Sequence, residues 1–235
     1  MQQISLNDNF IKVTGVDIKG SYGGNQGWFV DSAFGNLSRQ GCGVIAAVDT
    51  MLYLIGKNEA AIESYSKIVS DFCHERRLSR LFMKEISIRK YGNNSFAIGI
   101  IPIQMSGFIN NRMKAYGIKK RVKWNGIHGH KDMYQKMKAM ISMNNPVIWS
   151  LYSPKGKLKL YVKTDKTKGF SYAGQSVNNH YVTATAILEG YVPEHPRMIE
   201  ISSWGKRYYI DYDEYLKYVG KSLISGYCSN IFIVK

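Results

Sequence analysis

The feature that most restricts this chain is a change of hydrophobic period at Asn144-Asn145-Pro146. Before it, apolar residues recur every three or four positions, as along one face of a helix; after it they alternate, as on strands with one buried face. Val44, Ile45, Val48, Leu52 and Ile55 predict a helix over residues 42–55, with Gly56 as its stop. Asn58 is placed to cap a second helix carrying Ile62, Tyr65, Ile68, Val69 and Phe72. Met105, Phe108, Ile109 and Met113 form a third stripe, and Met133, Met137, Met140 and Ile141 a fourth, both read as core. Beyond the switch, residues 147–152 and then Leu158, Leu160 and Val162 read as the arms of a hairpin across Ser153-Pro154-Lys155-Gly156. Residues 181–188, 198–203, 207–210 and 230–234 read as further strands, with a short helix over 212–219. Residues 1–34 read as short strands and turns punctuated by Gly20, Gly23, Gly24 and Gly27.

The expected class is therefore α+β, with a mainly helical part over 1–146 and a β-rich part over 147–235. No internal repeat and no long linker divides the 235 residues, so a single domain is expected. A helical lobe packed on an antiparallel sheet lobe leaves a cleft, where chemistry tends to sit.

Composition narrows the function classes. Hydrophobic residues make up 45% and charged residues 21%, ordinary globular usage that excludes collagenous and low-complexity readings. No apolar run approaches the ~20 residues that span a bilayer. The start, Met1-Gln2-Gln3-Ile4-Ser5, lacks the basic-then-apolar signal pattern, so a cytoplasmic chain is expected; a secreted chain with its signal removed would read the same. The three cysteines, Cys42, Cys73 and Cys228, are an odd number without Cys-x-x-Cys spacing, which argues against a disulfide scaffold and suits a reducing compartment. Cys73 and Cys228 read as buried structural thiols. The formal charge of +15 favours an anionic partner without identifying it.

One cysteine stands apart. Cys42 opens the predicted helix between Gly41 and Gly43, at the positive end of the helix dipole, conditions that lower a thiol pKa and let a substrate backbone come close. Such a nucleophile needs a base, and His180 opens a strand after Asn178-Asn179, about 140 residues further on.

In these residues the sequence resembles the papain-like cysteine peptidases, in particular the compact bacterial branch that includes peptidases processing double-glycine leader peptides. The shared pattern is a cysteine-glycine at a helix start, a histidine opening an aromatic and β-branched strand, and then Ser202-Ser203-Trp204-Gly205, like the family's Ser-Trp-Gly strand that orients the histidine. The resemblance implies a papain-like fold and a cysteine peptidase or related thiol amidohydrolase acting through a thiolate–imidazolium pair and an acyl-enzyme, with no cofactor. It assigns Ser202 to the position of the family's orienting Asn or Asp and Trp204 to shielding that bond from water; Glu200, displaced by about 7 Å along the strand, is a weaker orienter. It places an oxyanion-binding amide about six residues before the nucleophile, at Asn36; Gln40 has the family's residue type at another spacing. The implied substrate is a peptide or protein, and the basic surplus predicts a preference for acidic segments. The same machinery serves acyl transfer or deamidation.

Two other classes stay open. A papain-like domain that binds peptides without cutting them would show the same motifs. Lys119-Lys120-Arg121-Val122-Lys123-Trp124 and Lys206-Arg207-Tyr208-Tyr209 mix cations and aromatic rings as single-stranded nucleic-acid binding would, although no recognised motif accompanies them. His128 and His130 form a His-x-His pair without the partners a zinc site needs, so no metal is expected.

Overall fold

A computed structural model describes the chain except residues 19, 31–36, 78–89, 92–93, 96–99, 127–129, 131 and 165–168. It has mixed helices and a mainly antiparallel sheet, the α+β class. The first part contains strands β1 (Gln2–Ser5) and β2 (Lys12–Thr14), helices α1 (Leu37–Gln40) and α2 (Cys42–Leu54), strand β3 (Glu59–Ala61), helix α3 (Ile62–Arg77), strands β4 (Lys90–Tyr91) and β5 (Asn94–Ser95), helix α4 (Pro102–Ala115), strand β6 (Val122–Trp124) and helix α5 (Met133–Ser142). The second contains β7 (Val147–Leu151), β8 (Leu158–Thr164), β9 (Gly169–Val177), β10 (His180–Val192), β11 (His195–Ser203) and β12 (Lys206–Asp211), helices α6 (Tyr212–Val219) and α7 (Leu223–Cys228), and β13 (Phe232–Val234).

Helix α2 is the centre of the first part. It is apolar almost all round and buried from Gly43 to Tyr53, as a helix packed on several sides must be. It lies against α4, β10 and β7. It stops where expected: Gly56 takes φ +75°, the Lys57 N–H reaches the Leu52 carbonyl at 2.9 Å and the Gly56 N–H that of Tyr53 at 3.0 Å, a glycine-terminated Schellman end. Helix α5 ends in the same way with asparagine in the left-handed position, Asn144 at φ 58°. That cap is the structural content of the period switch, because β7 starts three residues later.

The sheet has the order β1-β10-β11-β12-β8-β9, with β7 also on β10. Strand β10 is long enough for two partners to share one edge: β7 pairs with residues 180–184 and β1 with 186–189, while β11 takes the other edge. Trp149 on β7, fully buried, packs edge-on against Tyr215 of α6 at 4.5 Å, which ties α6 to the sheet.

The structure corrects two expectations about elements. The second helix starts at Ile62, because Glu59–Ala61 is drawn into parallel pairing with β2, and the Asn58 carbonyl accepts the Lys12 N–H at 2.8 Å instead of Asn58 capping a helix. β7 and β8 are not a hairpin: β7 pairs with β10, whereas β8 pairs with β9 and β12. Strand β9 and helix α7 carry no clear sequence signal. β9 is buried only at its two ends, Gly169 and Val177, with no alternation between them, and α7 is six residues with Leu223, Ile224 and Tyr227 facing solvent.

Candidate functional site

Cys42 is the first residue of α2, and the geometry around it explains the two glycines. A Cβ on Gly41 would lie 2.4 Å from the Leu37 carbonyl oxygen, and one on Gly43 would lie 2.3 Å from Ile100 Cγ2 and 3.1 Å from the Tyr181 ring. The glycines are thus required by packing of α1, of Ile100 and of β10, and Gly43 also lines the cavity that Cys42 borders. The sulfur is partly buried among the backbone N–H groups of Cys42, Gly43 and Tyr181.

His180 is the first residue of β10, placed by a tight turn in which Asn179 adopts φ 51°. Asn178 holds that turn, accepting from the Ser153 and Asn179 N–H groups at 2.8 and 2.9 Å and donating to the Ser153 carbonyl at 2.6 Å. The ring is 8% exposed and stacks on Trp204, with centroids 4.7 Å apart at 28°. Its Nε2 lies 2.8 Å from Ser203 Oγ. Trp204 and Gly205, at φ 51° and 71°, form the two central positions of the β11–β12 turn, the pattern of a type I′ hairpin. This turn is held by the segment before α1: the Gly205 N–H donates to the Gly24 carbonyl at 2.8 Å and the Tyr22 N–H to the Gly205 carbonyl at 2.9 Å.

Ser202 is not the histidine's partner. Its hydroxyl donates to the Tyr22 carbonyl at 2.7 Å, because neighbouring strand residues face opposite ways and Ser203 is the one on the His180 side. Glu200 is not an orienter either. Its carboxylate accepts from the hydroxyls of Tyr22 at 2.7 Å, Tyr209 at 3.0 Å and Thr185 at 3.1 Å, and pairs with Arg207 at 3.6 Å.

Cys42, His180, Trp204 and Gly43 line one cavity of about 860 Å³. Gln40 lines it too, whereas Asn36 lies outside the described residues. The side-chain amide that sequence reasoning missed is Gln26. It is 8% exposed, held by its Nε2 donating to the Ser38 carbonyl at 2.9 Å, and borders Cys42 and His180 in this cavity and in a small one beneath them. The signal was Asn25-Gln26-Gly27, where Asn25 caps a short 3-10 turn by accepting the Gly27 N–H at 2.8 Å.

The electrostatics depart from the expected ion pair. Burial pushes the Cys42 thiol up, outweighing the three N–H groups that pull it down. Burial pulls His180 down to about 4, with no carboxylate among the described residues in contact to oppose it. Both shifts favour the uncharged thiol and the uncharged imidazole, which corrects the expectation of a lowered thiol pKa.

The other candidate residues fall elsewhere. Cys73 is buried, as expected; Cys228, at the end of α7, is partly exposed and borders the large cavity, which corrects its assignment to the core. His128 lies outside the described residues, and His130 meets the Ser229 carbonyl through Nε2. No group of metal-ligating side chains occurs among the described residues. Tyr208 and Tyr209 are buried at 6% and 4%, whereas the partly buried Trp124 packs on Phe232 and also borders the large cavity. No described helix is long and apolar enough to cross a membrane. Compared with known proteins, the chain matches no family model and no curated sequence.

Proposed function

We propose that this chain is a thiol hydrolase of peptide or protein substrates, papain-like in arrangement, with Cys42 as nucleophile and His180 as general base. The observation that carries the reading is that the helix-start thiol and the strand-start imidazole border one cavity, with the ring fixed on its far side by Ser203 Oγ and Trp204. When Nε2–H donates to Ser203, Nδ1 keeps the lone pair that can take a proton. The pair then starts uncharged. His180 removes the Cys42 proton as sulfur attacks the carbonyl carbon, and returns it to the leaving amine as the tetrahedral intermediate collapses to an acyl-enzyme. Water, deprotonated by His180, releases the acyl group and regenerates the thiol. The Cys42 N–H and the Gln26 amide are the donors available to the oxyanion. Arg39 and Lys157 border the cavity from the Cys42 and His180 sides, with no described Asp or Glu on its walls, which supports a preference for acidic segments.

A second reading has an observation in its favour. With both groups held neutral by burial, a domain that binds peptides without cutting them is consistent with the site. Alkylation of Cys42 by iodoacetamide against pH, in the wild type and in His180→Ala, separates the two. The hydrolase shows a rate well above that of a free thiol near neutral pH, lost without His180; the silent domain shows a slow rate that rises only above ~8.5 in both proteins.

A further inference from the structure

Ser203 and Asp49 each have a hydrogen-bonding capacity that the site as described leaves unused. In the tautomer that keeps Nδ1 free, His180 Nε2–H donates to Ser203 Oγ at 2.8 Å. The Ser203 hydroxyl proton then needs an acceptor, and at 5% exposure bulk water does not supply it. Its Oγ has no other partner among the described residues. Asp49 stands on α2, two turns beyond Cys42, and is 1% exposed. Its Oδ2 accepts the Gly24 N–H at 2.9 Å and its Oδ1 the Tyr65 hydroxyl at 2.7 Å. Two donors leave half the acceptor capacity of an ionised carboxylate unfilled, since it takes about four.

Both side chains open on the same small cavity beneath the nucleophile. It measures about 10 Å³, close to what one water molecule needs, and Cys42, His180 and Gln26 share its walls. Gly23 keeps these groups close. At φ +78°, a Cβ there would lie 2.7 Å from Asp49 Oδ2 and 2.1 Å from Ser202 Oγ, so a side chain would have to push the α2 carboxylate away from β11.

We propose that Asp49 is a positioning residue for His180, acting through one buried water and the Ser203 hydroxyl. The imidazole Nε2–H donates to Ser203, Ser203 donates to the water, and the water donates to the Asp49 carboxylate. The proposal rests on the reading of Cys42 and His180 as nucleophile and base. No proton passes along this relay. The proton that moves is the one from Cys42 sulfur to His180 Nδ1, and the imidazolium so formed is stabilised by an anion at the far end of three hydrogen bonds. In this way a serine serves where the resembling family uses an amide or carboxylate, because the hydroxyl passes on an orientation that it cannot hold alone.

The relay has a pH signature. Burial lifts Asp49 to about 7, against the Tyr65 and Gly24 donors that lower it. The other titratable side chains on the cavity walls are Cys42 from the same helix and His180 and Tyr181 from β10, and Tyr65 of α3 bonds Asp49 directly. Cys42, Tyr181 and Tyr65 are raised and His180 is lowered to about 4. Asp49 is therefore the group that changes charge near neutrality, and activation of Cys42 rises with pH through about 7.

The test is the pH profile of iodoacetamide alkylation on the full chain for wild type, Asp49→Asn, Ser203→Ala, Ser203→Thr and the Asp49→Asn/Ser203→Ala pair, with the His180 ring followed by nitrogen NMR. The expected result is a limb near pH 7 in the wild type, lost in Asp49→Asn and in Ser203→Ala with rates about tenfold lower at pH 8. It is recovered in Ser203→Thr, and the double variant is no slower than either single one. Above pH 7 nitrogen NMR shows the His180 proton on Nε2 in the wild type, and this tautomer preference is lost in Ser203→Ala. Should Asp49→Asn not fold, the Ser203 pair of variants decides by the same limb. If the Asp49→Asn and Ser203→Ala profiles superpose on the wild type while His180→Ala slows alkylation, the relay is wrong and the nucleophile–base pair stands. If Asp49→Asn loses the limb and Ser203→Ala keeps it, the path through Ser203 is wrong. A wild-type Cys42 no faster than a free thiol and indifferent to His180→Ala overturns both readings.

Discussion

Two histidines on adjacent strands of the same sheet have opposite surroundings. His195, the first residue of β11, has the partner usually associated with an activated histidine: its Nδ1 lies 2.6 Å from the carboxylate of Asp211. That carboxylate also caps α6, accepting the N–H groups of Asp213 and Glu214 at 2.7 and 3.1 Å, and the His195 ring rests on Tyr161. His195 borders neither of the cavities that Cys42 borders. Among the described residues His180 has only a hydroxyl as its direct partner, yet it shares a cavity with a thiol and is covered by an indole. The better hydrogen-bond partner is at the histidine that holds the fold. On the proposed reading, a carboxylate beside an imidazole is a poor marker of function here, and a thiol across a cavity is a better one.

The largest expected effect is the one that would break this contrast outright. His180→Ala should lower peptide turnover at least ~10³-fold, and Cys42→Ala should remove it, whereas His195→Ala should leave kcat within about twofold and only lower stability. Equal losses at the two histidines, measured on a peptide library, would end the distinction.

Next in size is the pH dependence of stability. His180, lowered to about 4, binds fewer protons when folded than unfolded between pH 4 and 6.5; its contribution is complete above the unfolded value and is lost as pH falls through about 4. Asp49, raised to about 7, does the reverse: its contribution is complete below the ordinary carboxylate range and is lost as pH rises through about 7. They amount to roughly 3 kcal/mol for His180 and roughly 4 kcal/mol for Asp49, so the two slopes oppose each other between pH 4 and 6.5. Urea unfolding at pH 4.5 and 6.5 should show His180→Gln losing stability with rising pH and Asp49→Asn gaining it, with the wild type between them.

Trp204→Ala sharpens the reason His180 is neutral. Uncovering the ring should bring its NMR midpoint up from about 4 towards the ordinary ~6.5. A midpoint that stays put would mean that the indole is not what excludes water. The smallest expected effect belongs to the cavity rim. Arg39→Glu or Lys157→Glu should reduce a preference for Asp or Glu near the cleaved bond by about threefold, since both charges are exposed and screened.

Much of this contrast was legible in the sequence, and its legible parts share a cause. Local patterning gave α2 within one residue, as well as α4, α5 and the starts of β7 and β8, because each is a continuous or regularly spaced run of buried apolar residues. Cys42 and His180 were found because each opens an element. What failed was anything decided by partners distant in sequence. The pairing of β7 with β10 rather than β8 depends on which edge of β10 is open, and the choice of Ser203 over Ser202 depends on which face of β11 meets His180. Gln26 is separated from Cys42 by a stretch that holds no regular spacing, and Asp49 reads as a lone polar residue in an apolar helix. The thiol pKa was misjudged because dipole and N–H effects are local and visible, whereas desolvation is set by the whole surrounding fold.

The shared edge of β10 has a consequence for how the protein comes to be. Gln2 pairs with Glu189, so the amino-terminal strand finds its place only beside a strand from the other end of the chain. Contacts so far apart in sequence form late and slowly. A ribosome would release the whole stretch from Cys42 to His180 before thiol and imidazole could meet, which on the proposed reading should leave the emerging chain chemically quiet towards itself and its neighbours until then.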